Sequence, residues 1–177
     1  MEGSISLGIF DEQGKLVRVL HREATIDKFA IEADSLNTTW DGKNDKGEDL
    51  PPGKYRGRGY AVGRLQVQDL GNRSVPPGQD LSDHVAIALV TNPLVSDTRS
   101  VVALGAGFDD KGSFIKTMDG LPLFTVSKST NLVRVSITKA GEKSVDIWED
   151  NGAAVEQLRV SHIDQLMAFD CGFFELK

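Results

Sequence analysis

The chain of 177 residues has one cysteine, Cys171, so it forms no intramolecular disulfide and must hold its fold by packing and hydrogen bonding. It has no apolar run near the roughly 18–20 residues that cross a bilayer as a helix, so no membrane insertion is expected. It has no basic excess either. The formal net charge is −6 and the pI about 5.1, without the clustered Lys and Arg that displace counterions from nucleic acid. Met1-Glu2-Gly3 opens without a basic, apolar, cleavable leader. That start fits a cytoplasmic protein, a processed chain or a piece of a longer one. Gly-x-Ser-x-Gly and P-loop patterns are missing, and Gly105-Ala106-Gly107 lacks the third glycine and helix of a dinucleotide loop.

What is present is β-patterning. Ile5, Leu7 and Ile9 alternate with polar or small residues, the period of a half-buried strand. Asp11 to Gly14 reads as a turn, and Leu16 to Leu20 as the second strand of a hairpin. Ile26, Phe29, Ala30 and Ala33 follow helical spacing after Thr25, which predicts a helical turn within 25–33. Leu36, Thr38 and Trp40 alternate as a third strand. Tyr55 to Val62 forms another, whose small residues Gly57 and Gly59 predict close approach by a backbone or a large ring, with Trp40 the obvious candidate. On that strand Lys54, Arg56 and Arg58, with Arg64 beyond it, are expected to form a solvated face.

Residues 69–83 hold Gly71, Asn72, Pro76, Pro77, Gly78 and Asp80, the most linker-like composition in the chain. The expected division is therefore residues 1–66, a linker over 67–83, and a second unit over 84–177. The second unit is a series of short β-type runs: 84–90, 100–104, 113–117, 121–126, 132–138, 144–148, 155–160 and 165–169. Asp150-Asn151-Gly152 predicts a hairpin with a type I′ turn. Asp119, Leu121 and Phe124 recur as Asp164, Leu166 and Phe169 at the same offsets, about 45 residues on, near the period of a propeller blade. So little chain cannot close a propeller ring, so the expectation is an open, blade-like antiparallel sheet. The overall fold class is all-β.

The residues Ile5-Ser6-Leu7-Gly8-Ile9-Phe10-Asp11, Gly14 to Leu20, Thr39-Trp40-Asp41-Gly42 through Gly47, and Leu50-Pro51-Pro52-Gly53-Lys54-Tyr55 carry a resemblance. Residues 4–66 resemble the immunoglobulin-like domain of the flagellar hook-capping protein FlgD, a module also found as an accessory domain in bacterial extracytoplasmic proteins. The resemblance covers about a third of the chain. It implies an immunoglobulin-like β-sandwich and a cell-envelope or extracytoplasmic setting, and implies no reaction. The motif also has a local rationale. Asp41 serves its own turn, Gly42 and Gly47 permit tight reversals, and Trp40 and Tyr55 are placed to pack.

No catalytic, cofactor-binding or metal-ligating residue is assigned. His21, His84 and His162 form no close pair, and Cys171 with His162 has no local support as a nucleophile and base. The acidic turn Asp41, Asn44, Asp45, Glu48 and Asp49 does not follow EF-hand spacing. The expected function is that of a non-enzymatic structural or protein-interaction module, with protein partners or self-association, a homodimer included. The alternative is a carbohydrate- or peptide-binding module using Trp148 as an aromatic platform, with an enzyme third.

Overall fold

A computed structural model describes residues 3–74, 84–89 and 99–177. Its strands are β1 (Ser4–Phe10), β2 (Leu16–Ala24), β3 (Ala30–Glu32), β4 (Ser35–Asn37), β5 (Gly53–Val62), β6 (Gln66–Asn72) and β7 (Val85–Ala88). They continue with β8 (Val101–Asp109), β9 (Gly112–Thr117), β10 (Pro122–Ser127), β11 (Arg134–Gly141), β12 (Ser144–Asp150), β13 (Val155–Ser161) and β14 (Leu166–Leu176). The chain is all-β and every strand pairing is antiparallel.

The strands form three four-stranded sheets, in the orders β14-β5-β1-β2, β10-β9-β8-β7 and β11-β12-β13-β6, plus the small β3–β4 hairpin. All three sheets feed one apolar core. The first contributes Tyr60, Val62, Leu166 and Ala168, the second Leu104, Ile115 and Leu123, and the third Ile137, Val145, Ile147 and Val160. Alternation decides these positions. In β12, Val145 and Ile147 face the core and are fully buried, while Asp146 and Trp148 point to the other face.

The strands of the expected two units interleave. β14, near the end of the chain, pairs with β5 along ten residues and completes the first sheet. Residues 66–72, which overlap the expected linker, form β6 and pair with β13. Pro76, Pro77, Gly78 and Asp80 lie outside the described residues. Polar ties join the sheets as well. The Glu23 carboxylate accepts from the amide and hydroxyl of Thr125, and Arg22 Nη1 donates to Asp109 Oδ2 at 2.6 Å.

Several local expectations need correction. The helical turn expected within 25–33 is a single 3-10 turn at Ile26–Lys28, and Thr25 makes no side-chain cap before the chain enters β3. Helical spacing over so short a run does not outweigh strand pairing with β4. The third strand ends at Asn37, and Trp40 lies in the following loop, half-buried. Its ring meets Tyr55 at 5.2 Å and Phe174 at 5.8 Å, and its Nε1 donates to the Lys43 carbonyl. The large ring against Gly59 is Phe169, whose Cζ lies 2.5 Å from where a Cβ would stand, with the Ser6 carbonyl oxygen at 2.3 Å. At Gly57 the neighbour is Cys171.

The β12–β13 connection spans residues 151–154, and Gly152 takes φ 86° while Asn151 does not adopt positive φ. A type I′ turn requires both central residues at positive φ, so this is a longer loop, closed by the Asn151 amide on the Ala154 carbonyl. The two Asp-Leu-Phe segments both lead from a turn into a strand, with Leu121 and Leu166 each buried, but they enter different sheets.

Candidate functional site

The sequence-derived candidates come apart in the structure. His21 Nε2 bonds Thr38 Oγ1 at 2.8 Å and its ring lies 4.5 Å from Phe29, while burial lowers its pKa. His162 sits in the β13–β14 turn at φ 65°, where its carbonyl accepts from Gln165. His84 is exposed ahead of β7. Among the described residues, no three of His, Cys, Asp and Glu are grouped as metal ligands. Cys171 is exposed on a bulge of β14, with its sulfur packed over Gly57, and desolvation followed by the Asp170 charge pushes its thiol up. That is the opposite of what an activated thiolate needs.

Trp148 is only 5% exposed, and its Nε1 donates to Thr138 Oγ1 at 2.8 Å. It therefore presents no platform to a ligand. In the acidic loop, Asp41 Oδ1 accepts from Lys43 N, and Asn44 Oδ1 accepts from the amides of Lys46 and Glu48. The basic strand is not simply solvated. Arg56 forms a bidentate pair with Asp170, and Arg58 lies 4.3 Å over the Phe10 ring and 3.5 Å from Asp119.

The polar feature that stands apart was not singled out from the sequence. On the core face of β12 the residues run Val145, Ile147, Glu149; on β13 they run Val160, Leu158, Glu156. The register pairs them as Val145–Val160, Ile147–Leu158 and Glu149–Glu156. An apolar stripe thus ends in two carboxylates directly opposite each other on one face. Glu149 is 2% exposed. Its Oε1 accepts from the hydroxyls of Ser113 and Ser127, a paired couple on β9 and β10, whereas Oε2 is buried without a hydrogen-bond partner. Like charges facing each other across a strand pair repel, and among the described residues neither glutamate makes an ion pair.

These carboxylates line a cavity of about 240 Å³, walled on its other sides by Ser129, Thr130 and Asn131 of the β10–β11 loop and by Asn151 of the β12–β13 loop. The Asn151 carboxamide oxygen is occupied by the amides of Ala153 and Ala154, so it shapes the wall. Among the described residues, the wall carries acceptor oxygens and hydroxyls and no Lys, Arg or His. Alternation alone places Glu149 inward, and that signal was legible. The facing serines come from a different sheet and were not. A second cavity, of about 280 Å³, is apolar and lined by Ile5, Ile26, Leu166 and Met167 among others.

No protein-family model matches the chain, and neither does any curated protein or solved structure.

Proposed function

We propose that this chain is a non-catalytic structural or protein-interaction module of a bacterial extracytoplasmic or cell-surface protein, and that it associates through the outer edge of β14. The observation that carries this reading is the edge itself. β14 runs for 11 residues at the margin of the first sheet, contains no proline, and exposes Phe173 to 61%. An edge strand of this length offers a row of N–H and C=O groups to another chain. Phe173 is stacked by Arg56 at 4.8 Å, and Phe174 extends the Trp40–Tyr55 cluster toward the same margin. The bulge at Cys171–Gly172 divides the strand, so pairing is confined to one side of it.

The immunoglobulin-like character of residues 4–66 belongs to the same proposal. Tyr55 near the start of β5 donates its hydroxyl to the Pro51 carbonyl at 2.8 Å. This resembles the tyrosine corner of immunoglobulin-like sandwiches. The Trp40–Gly47 segment supports it too, with Gly42 and Gly47 at φ 75° and 80° and Asp41 and Asn44 serving the turn backbone. A second copy of the chain is the simplest partner for such an edge, as a two-fold dimer.

Light scattering across the micromolar range tests this. Mass should rise with concentration for the wild type and stay at the monomer value for Phe173→Lys, which places a charge on the edge. A wild type that remains a single monomer throughout overturns the edge-pairing reading.

A further inference from the structure

Glu149 stands out in two ways. It stands where β12 has just placed Val145 and Ile147, so a purely structural position would carry another apolar side chain. It also leaves one carboxylate oxygen buried without a partner, which is destabilising unless something compensates it. Directly across the strand pair is Glu156, a second carboxylate on the same face. A buried acid, an unpartnered oxygen and a like-charged neighbour would all be answered by a cation between or beside them.

The surroundings narrow which cation. Among the described residues, the polar side chains on the cavity wall are two carboxylates, the hydroxyls of Ser129 and Thr130, and the carboxamides of Asn131 and Asn151. Soft metals seek Cys or His, and the wall has neither among the described residues. Hard cations take oxygen. Calcium accepts about six to eight oxygens in adaptable geometry from carboxylates, amide carbonyls and water, whereas magnesium demands a near-ideal octahedron. The cavity of about 240 Å³ leaves room for an ion with several waters, each needing about 30 Å³. The ligands come from a loop and a hairpin rather than one rigid element, which suits the adaptable ion.

We propose that Glu149 and Glu156 form a binding site for a hard divalent cation of the calcium type, closed by the β10–β11 loop. Glu149 is positioned by Ser113 and Ser127, which hold Oε1; Oε2, screened from solvent and without a hydrogen bond, is the oxygen that an ion entering from the cavity would have to reach. Glu156, half-buried, supplies the second charge from the solvent side. Two negative charges balance the ion. With only two carboxylates the site binds weakly, with a Kd on the order of 10⁻⁴–10⁻³ M, as in extracellular calcium modules. Bound cation pins the β10–β11 loop to the third sheet and so ties the second and third sheets together at this end of the core.

Isothermal titration calorimetry on the full chain, stripped with chelator and titrated with CaCl2, tests the site, alongside thermal melting with and without CaCl2. The wild type should show one saturable binding event and a rise in melting temperature. Glu156→Gln, at a half-buried position that tolerates an amide, should weaken binding by about tenfold or more and abolish the rise. Glu149→Gln should do the same. Glu12→Gln, in the exposed β1–β2 turn, should behave as the wild type. The absence of saturable binding by the wild type overturns the proposal. So does wild-type affinity in Glu156→Gln. Equal affinity for MgCl2 overturns the assignment to a calcium-type ion.

Discussion

The two faces of the β12–β13 hairpin carry acids in opposite circumstances. On the outer face, Asp146 is buried at 5% exposure and fully answered. Arg159 donates to it from Nε at 2.8 Å and Nη2 at 3.0 Å, and Gln157 adds a third bond at 2.8 Å. The register places Arg159 directly opposite Asp146. Its guanidinium is held above its ordinary pKa, by the hydrogen bond to Asp146 first and by the Asp146 charge second. On the inner face, Glu149 is buried more deeply, is opposed by another acid, and keeps one oxygen without a bond. The same strand pair therefore shows what a structural carboxylate looks like and what it does not. A carboxylate kept for the fold brings its own counter-charge; one that lacks it is disposed toward something from outside.

The largest effect that probes this contrast is expected from Arg159→Ala. It strands the Asp146 carboxylate with Gln157 alone, and removing one partner of a buried pair is strongly destabilising. Because Arg159 is itself 39% exposed, solvent screening reduces the loss to about 2 kcal/mol, measurable by urea denaturation. A loss below about 0.5 kcal/mol would equate the two faces and remove the contrast.

Glu149→Gln should act in the other direction. Without divalent cations the amide keeps an acceptor for Ser113 and Ser127 and ends the repulsion with Glu156, so stability should rise by about 0.5–1 kcal/mol. A clear loss in chelator would mean that the inner acid is already satisfied within the fold.

The smallest effect is a pH dependence carried by the paired acids elsewhere. Partial burial is the largest single influence on Asp109 and Asp170 and raises both, but the hydrogen bonds from Arg22 and the Lys111 amide to Asp109, and from Arg56 and the Gly172 amide to Asp170, together with the neighbouring positive charges, outweigh it and leave both below the ordinary 3.8. Depressed folded-state values stabilise the fold above the unfolded value, and that contribution is lost as pH falls through the folded ones. Melting temperature should thus decline on acidification below about pH 4, and Arg56→Ala should flatten part of that decline. An unchanged acid limb in Arg56→Ala would remove Asp170 from the account.

Most of the strand runs were legible because period-2 alternation needs only local sequence. The runs at 113–117, 144–148 and 155–160 lie within β9, β12 and β13. The helical turn expected within 25–33 is met only by the 3-10 turn at Ile26–Lys28, because spaced apolar residues carry no knowledge of the β3–β4 pairing that follows it. Trp40 was assigned to Gly59 because both lie in the first third of the chain. The ring that fills that space, Phe169, arrives from 110 residues further along. The Glu149–Glu156 pair was half legible. Alternation turns both acids inward, but a glutamate at the end of a strand reads as a solvated terminus until the loop that covers it is known.

By itself, the sequence determined the all-β class, the positions of most strands and turns, the lack of disulfides and the acidic surface, since propensity, periodicity and charge are local quantities. Only the tertiary structure decided that β14 closes the first sheet beside β5, that three sheets share one core, and that Ser113 and Ser127 meet Glu149. The strand pairing and the serine–glutamate bonds among them join residues 22 to more than 100 positions apart. Their cost in chain entropy is repaid only when whole apolar faces are buried together, and no local pattern records which faces those are.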